Sequence, residues 1–416
     1  MNSQAQKETS KPRDSGLFVS AFPPLQPSAL FARRRAPQIY PFNDPRLEYF
    51  YYARNGIYAL ARSWKLDGQE VLFPAYFHGV ELEALVAAGV VPRFYPVHKG
   101  MRVDPEEVKS LITRKTQAIY LIHYVGFPGP VREIADVCRS RNLLLVEDCA
   151  LALLSRNGSV PLGTVGDAAI FCLYKTLPLP NGGAVLIQGP GLHRLDTPCP
   201  SSIVPGIAYS VSLLSSNFKF PTGGLTHRLV AMLRRQIKTT TQVFGIAEVG
   251  TQHFDLSLAN TGMSKLGHWI LAAQDFDQII ERRRCNFLHL LQRLQPFCEP
   301  VFTQLSPGVC PLFFPIHVRQ KETVVERLFS RGIQAVNLWS AYHPLAPPGM
   351  YPEVDELRRS VLEIPCHQGI TGNSVDRMAD EVIAVLSLTG RHPAPGRSFK
   401  TPPSVSPAPK PYPRTQ

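Results

Sequence analysis

Short apolar segments alternate with amphipathic segments through the first half of the chain. The apolar runs carry hydrophobic residues at successive positions, which is typical of strands buried on both faces. The predicted strands are residues 70–76, 90–95, 117–124, 143–148, 168–174 and 183–188. The predicted helices between them are residues 56–65, 79–89, 104–114 and 131–142. This order predicts an α/β fold, with a mostly parallel sheet covered on both sides by helices.

The pattern changes beyond residue 195. Residues 195–255 are interpreted as a variable insertion, in which one amphipathic segment, 225–244, predicts a helix. This helix is expected to pack on its own domain or on a partner subunit, or to lie on a membrane surface. A long helix is expected from about 275, with Arg282, Arg283 and Arg284 on its solvated face. Strand 312–318 and helices 322–332 and 374–388 follow it. We therefore expect a large domain over 36–275 and a small C-terminal α/β domain over 276–390.

The two ends of the chain differ from the body in charge and composition. Residues 1–35 are expected to form a disordered tail, and residues 391–416 a disordered, proline-rich basic tail. These tails hold +9 of the formal net charge of +12, so the body offers no basic face for nucleic acid. The sequence contains no run of 18 apolar residues, so no transmembrane helix is predicted. No signal peptide is apparent either, and a cytoplasmic protein is expected.

Eight cysteines occur without a C-x-x-C pair or a His/Cys cluster at zinc spacing, which indicates reduced thiols and no metal site. Candidate chemistry instead follows the predicted strands, because ligands of such sheets bind at the carboxyl ends of strands. Asp148 ends one strand, and Lys175 follows another before the rigid turn TLPLPNGGAV. A lysine in this apolar context is costly unless it is paired or used covalently. Asp148 and Lys175 therefore form either a structural ion pair or a site.

Catalysis by pyridoxal phosphate needs such a pair. A lysine binds the cofactor aldehyde as a Schiff base, and an aspartate holds the pyridine nitrogen protonated. Alternation along the strand directs Glu147 to the face opposite Asp148, which favours Asp148 for the second role.

A block of ordered motifs supports this interpretation. The segment LLLVEDCALALL, the turn LGTVGD, the element AAIFCLYKTLPLPNGGAVL, and the later segments LANTGMS and LEIPCHQGIT occur in that order. With them the chain resembles the DegT/DnrJ/StrS-type sugar-nucleotide aminotransferase family of fold-type-I pyridoxal phosphate enzymes, from about residue 45 to 390. The resemblance implies a large domain with a mostly parallel seven-stranded sheet and a small C-terminal α/β domain.

The resemblance also implies roles for individual residues. Lys175 would carry the cofactor and move protons, and Asp148 would pair with the pyridinium. Gly56 and Ile57 would offer a helix N-terminus to the phosphate. The other implied cofactor-binding residues are Phe77 or His78 on the ring face, His123, Cys172, and Asn260 from a neighbouring subunit. Asn260 thus implies a homodimer with shared active sites. Taken alone, His123 is more often a core histidine, and Phe77 is equally well explained by core packing.

Several family positions are altered in this chain. Leu151 replaces the usual glutamine, Ile57 the usual threonine, Cys172 the usual serine and Gly262 the usual arginine. The implied activity is transfer of an amino group, from glutamate, to a nucleotide-linked keto-sugar in polysaccharide or glycosylated-metabolite biosynthesis. The altered positions leave two alternatives open: a non-catalytic homologue that serves as a dimeric scaffold, and a pyridoxal phosphate enzyme acting on a non-sugar carbonyl.

Overall fold

A computed structural model describes residues 17–189, 195–196, 198–201, 210 and 254–389. The predicted helix at 225–244 and the tail at 391–416 lie outside the described residues. None of the described helices combines the length and apolar composition that crossing a membrane requires.

The strands lie close to the predicted positions, usually one or two residues shorter. They are β1 Glu48–Phe50, β2 Glu70–Pro74, β3 Val91–Tyr95, β4 Thr116–Ile122, β5 Leu144–Asp148, β6 Arg156–Asn157, β7 Val160–Pro161, β8 Ala168–Cys172, β9 Gly183–Ile187, β10 Glu299–Pro300, β11 Phe313–His317 and β12 Val361–Pro365. The sequence did not predict β1, β6, β7, β10 and β12.

Most of the described helices match predicted segments, whereas the helices at 173–176, 265–271 and 352–360 were not predicted. The helices are α1 Ala53–Ser63, α2 Val80–Ala87, α3 Pro105–Ser110, α4 Val131–Arg141, α5 Leu173–Thr176, α6 Lys265–Leu271, α7 Phe276–Leu294, α8 Lys321–Ser330, α9 Pro352–Ser360 and α10 Asn373–Leu388. Asp104 caps the N-terminus of α3, because its side chain accepts a hydrogen bond from Glu106 N. This bond satisfies one of the amide groups that a helix leaves unpaired at its N-terminus.

Seven strands form the main sheet, in the order β1-β9-β8-β5-β4-β2-β3. The five strands from β8 to β3 pair in parallel, whereas β9 and β1 pair antiparallel at one side. The predicted mostly parallel seven-stranded sheet is confirmed. Since β4, β5 and β8 are parallel neighbours, their carboxyl ends meet at one edge, and the residues that follow them come together there.

A smaller antiparallel sheet, β10-β11-β12, is formed by the C-terminal part of the chain. Helices α7 and α10 pack against each other beside it. The expectation of a solvated Arg283 is wrong, since this side chain on α7 is fully buried. Its guanidinium donates to Pro311 O, Leu312 O and Thr176 O. It therefore ties the segment before β11 to the turn that carries Lys175.

The expectation of a disordered tail over 1–35 is wrong for the described residues 17–35. Val19 N donates to Gly332 O, and Gln334 N donates to Val19 O. Leu17, Val19 and Leu25 are buried. These apolar side chains pack into the hydrophobic core. The sequence around them did not predict this packing.

Candidate functional site

A cavity of about 270 Å³ lies where the carboxyl edge of the main sheet meets the C-terminal sheet. Its wall includes Arg54, Ile57, His78, Asp148, Leu151, Cys172 and Lys175 from the first part of the chain, and Phe313, Asn337, Trp339 and Glu363 from the second. Five of the predicted site residues, Ile57, His78, Asp148, Cys172 and Lys175, thus share one cavity. Gly56, Phe77, His123 and Asn260 do not line it.

Lys175 lies in the short helical turn α5, directly after β8, rather than at the end of the strand itself. Leu173 N, at the start of this turn, donates to Gly182 O and holds the turn against the loop leading to β9. Lys175 is half-buried in the cavity wall. No hydrogen bond or ion pair of its amine is found among the described residues. Lys175 and Asp148 therefore do not form the structural ion pair that the sequence had left as an alternative.

Asp148 ends β5 at the floor of the cavity and is 4% exposed. One carboxylate oxygen accepts from the Tyr120 hydroxyl at 2.6 Å, and the other accepts from Ala150 N at 2.7 Å. Burial raises the pKa of Asp148 to about 6, against the opposing effect of the Tyr120 hydrogen bond. A positive group beside this carboxyl would favour its charged form. The arrangement is a rigid acceptor suited to a cationic ring nitrogen.

The N-terminus of α1 forms another part of the wall. Ala53 and Arg54 line the cavity, and backbone amides at a helix N-terminus are suited to binding anions. The Arg54 guanidinium carbon lies 4.4 Å from the centre of the Tyr52 ring, and no ion pair of Arg54 occurs among the described residues. A positive charge and the N-terminal amides of α1 thus meet at this end of the cavity.

Gly56 lies one turn inside α1 rather than at its start. A side chain there would collide with Val185 and Phe50, so Gly56 permits close packing of the helix on the sheet. The neighbouring Asn55 is turned away from the cavity, because its side-chain amide donates to Leu258 O and Ala259 O. At this end of α1, Ala53 and Arg54 line the cavity and are therefore the residues available to bind an anion.

Phe77 and His78 have different surroundings. Phe77 is fully buried, with its ring stacked on Phe94 at 5.8 Å, and packs in the core. His78 lines the cavity. Burial lowers the pKa of His78 to about 4, and the nearby charges of Lys175 and Arg54 act in the same direction. His78 is therefore a neutral ring, and the structure favours it over Phe77 as the group beside a bound cofactor.

His123 has a structural role in this fold. It is fully buried, contacts Glu147 at 3.0 Å through Nε2, and accepts from Gly129 N at 2.9 Å through Nδ1. His123, Glu147 and Cys149 each place a potential ligand atom within 4.8 Å of the others. The hydrogen bonds of the first two already occupy their polar atoms. The interpretation of His123 as a core histidine is favoured.

Asn260 is exposed and belongs to another surface depression, together with Tyr58 and Arg62. Its side-chain amide lies 3.6 Å from the Cys199 sulfur. Within one chain, Asn260 does not reach the cavity of Lys175. Its predicted contact with a cofactor stays a prediction about a second subunit.

Sequence reasoning missed Arg54, Asn337 and Glu363. The sequence did contain a signal for Glu363, because burying an acid in the apolar segment VLEIPC costs free energy, as burying Lys175 after its apolar strand does. Arg54 and Asn337 carried none, since both lie in mixed polar segments. Their position depends on how distant parts of the chain pack.

Comparison with known proteins agrees with this geometry. Residues 56–197 match the model of the DegT/DnrJ/EryC1/StrS aminotransferase family, which confirms the resemblance seen in the sequence. Over 123 residues the chain is 30% identical to GDP-perosamine synthase of Vibrio cholerae, covering 29% of this chain and 34% of that protein. It is 35% identical over 131 residues to dTDP-4-dehydro-2,3,6-trideoxy-D-glucose 4-aminotransferase of Saccharopolyspora spinosa, covering 30% of this chain and 34% of that protein. The matched part thus spans about a third of each relative.

The fold likeness extends further than the sequence likeness. The putative sugar aminotransferase Spr1654 from Streptococcus pneumoniae, in its PLP form, superposes with a TM-score of 0.61 at 13% identity. The superposition covers 82% of this chain and 87% of that one. The predicted fold class is confirmed.

Proposed function

We propose that this protein is a pyridoxal phosphate-dependent aminotransferase acting on a nucleotide-linked keto-sugar. The observation that carries the proposal is the amine of Lys175, unpaired among the described residues, in the same cavity as the buried carboxyl of Asp148. The match to an aminotransferase family over residues 56–197 supports it. An unpaired lysine is costly in such a site, which is consistent with a covalent use.

The residues present fit the cofactor. When bound, pyridoxal phosphate supplies an aldehyde that takes up amino groups and a ring that draws electrons from the substrate carbon. Asp148 would hold the ring nitrogen, and His78 would lie beside the ring. Arg54 and the amides of α1 would bind the phosphate. Lys175 would hold the aldehyde end and carry protons at its amine.

The substrates are proposed from the relatives. Of those compared above, one is named for GDP-perosamine and the other for the 4-amination of a dTDP-linked 4-dehydro sugar. A nucleotide-linked keto-sugar is therefore the proposed acceptor, glutamate the proposed donor, and polysaccharide or glycosylated-metabolite biosynthesis the proposed context. We also propose a homodimer, in which Asn260 of a second copy would complete the phosphate site.

A visible absorbance spectrum tests the proposal. Purified protein supplied with pyridoxal phosphate should turn yellow, remain so after dialysis, and bleach when glutamate is added. A protein that stays colourless would contradict the proposal. That result would favour the dimeric scaffold, which the apolar Ile57 and Leu151 in the cavity wall would then explain.

Arg54→Met should weaken binding of pyridoxal phosphate by about 10- to 100-fold, because a charge-assisted hydrogen bond contributes roughly 1.5–3 kcal/mol. Binding of pyridoxal, which lacks the phosphate, should change little. Titration of cofactor-free protein by absorbance measures both affinities. Arg139→Met, at an exposed position of α4, is the matched control. An equal loss for both ligands would assign Arg54 a structural role instead.

A further inference from the structure

Glu363 is a carboxyl group buried without a partner. It lies in the middle of β12 and is 1% exposed. Its backbone is held by two hydrogen bonds with Val336, at 2.9 and 3.0 Å. Both carboxyl oxygens are buried, and neither has a hydrogen-bond partner among the described residues. Glu363 is nevertheless part of the wall of the Lys175 cavity.

Nearby cations do not form an ion pair with this group. Burial raises the pKa of Glu363 to about 8, although the charges of Lys175 and Lys321 act against this rise. The Lys321 amine instead donates to Leu338 O and Arg358 O, at 2.8 Å each. A buried carboxyl left in this state costs free energy unless a ligand satisfies it. Its persistence in the wall of a cavity therefore indicates a ligand contact.

A second unpartnered acceptor lies next to it. Asn337 follows Val336, the backbone partner of Glu363, and its side-chain oxygen is buried without a partner among the described residues. It lines the same cavity, together with the apolar rings of Phe313 and Trp339. This side of the cavity thus offers several acceptor oxygens beside apolar surface. A complementary ligand has neighbouring hydrogen-bond donors on a compact body, as the hydroxyl groups of a sugar ring have.

We propose that Glu363, together with Asn337, forms hydrogen bonds with ring hydroxyl groups of the acceptor sugar and so determines which keto-sugar is used. This inference rests on the proposed function and deepens it. The cofactor phosphate would then bind at Arg54 and the N-terminus of α1, and the sugar would bind at Glu363 on β12. Both residues line the same cavity as Lys175.

Two acceptors that differ only in the hydroxyl groups test the inference. They are dTDP-4-dehydro-6-deoxy-D-glucose and its 2,3,6-trideoxy counterpart. With glutamate as donor, we expect the wild-type protein to prefer the first in kcat/KM. Glu363→Met should reduce this preference by about 10- to 100-fold, because sites built for a hydroxyl discriminate against its absence. Glu363→Gln, which keeps one acceptor oxygen, should lie between the two.

Two readouts separate recognition from a structural role. The ratio of kcat/KM for the two acceptors cancels any effect of Glu363→Met on the reaction with glutamate, because that step is common to both acceptors. The melting temperature should stay the same or rise, because the variant removes an unsatisfied buried carboxyl. Glu356→Gln, at an exposed position of α9, is the control.

The contrary outcomes are distinct. A fall of several degrees in the melting temperature of Glu363→Met, with the sugar preference intact, would overturn the inference and make Glu363 structural. A wild-type protein that does not react with glutamate would instead overturn the proposed function.

Discussion

Lys175→Ala should abolish turnover and the visible absorbance of bound pyridoxal phosphate together. Lys175 is the single lysine in the cavity wall that the described residues form. Without its amine the wall formed by the described residues has no amine that could bond to the cofactor aldehyde or move protons. A positioned proton-transfer group contributes up to about 10⁴-fold, so we expect a loss on this order. Steady-state kinetics and an absorbance spectrum of the dialysed variant measure both effects.

Lys109→Ala provides the control for this variant. Lys109 lies on the surface of α3, where its amine pairs with Glu106. Its loss should change neither the spectrum nor the rate. Lys175→Arg is a second comparison, because arginine keeps a positive charge but cannot serve as the covalent amine at neutral pH. Turnover retained in Lys175→Ala would refute the proposed mechanism.

Glu147→Ala should lower the free energy of unfolding by about 3–5 kcal/mol, as expected when one partner of a buried charged network is removed. Glu147 is fully buried. Its carboxylate contacts His123 and accepts from the backbone N–H groups of Gly163, Val165 and Gly166. The alanine variant leaves all four groups without an acceptor. Denaturant unfolding, followed by circular dichroism, measures the loss.

The network also predicts a dependence on pH. Burial acts to raise the pKa of Glu147, but the hydrogen bonds from His123 and the backbone outweigh it and lower the pKa overall. The folded protein therefore binds this proton less readily than the unfolded chain. The stability that Glu147 contributes is complete above the ordinary glutamate pKa and is lost as the pH falls through the folded-state value.

Glu356→Ala is the surface control for the stability measurement. Glu356 forms an exposed ion pair with Arg359, and such pairs contribute at most about 1 kcal/mol. Unfolding that is equally sensitive to both changes would show that the Glu147 network does not support the fold. A loss confined to Glu147→Ala would confirm that His123 belongs to the core.

Local pattern was sufficient for much of this protein. The apolar runs predicted β2, β4, β5, β8 and β9, because a strand buried on both faces has a composition that single segments reveal. Asp148 and Lys175 were predicted because charges in apolar segments are costly wherever they occur. Strand alternation also separated Glu147 from Asp148 correctly, since the two side chains have different partners.

Residues whose environment depends on distant segments were harder to predict. The partner of His123 follows from the pairing of β4 with β5, in which Leu121 lies beside Glu147. Burial of Arg283 depends on carbonyl groups from two other segments. Neither environment is encoded in nearby residues.

The sequence by itself determined the α/β fold class, the mostly parallel sheet and the two charged residues around which the site is proposed. It did so because hydrophobic periodicity and buried charge are local properties. Only the tertiary structure decided which candidates share a cavity: it brought His78 in, left Phe77 and His123 in the core, and added Glu363. The physical reason is that a cavity wall is formed where elements far apart in the chain pack together, so no single segment specifies its lining.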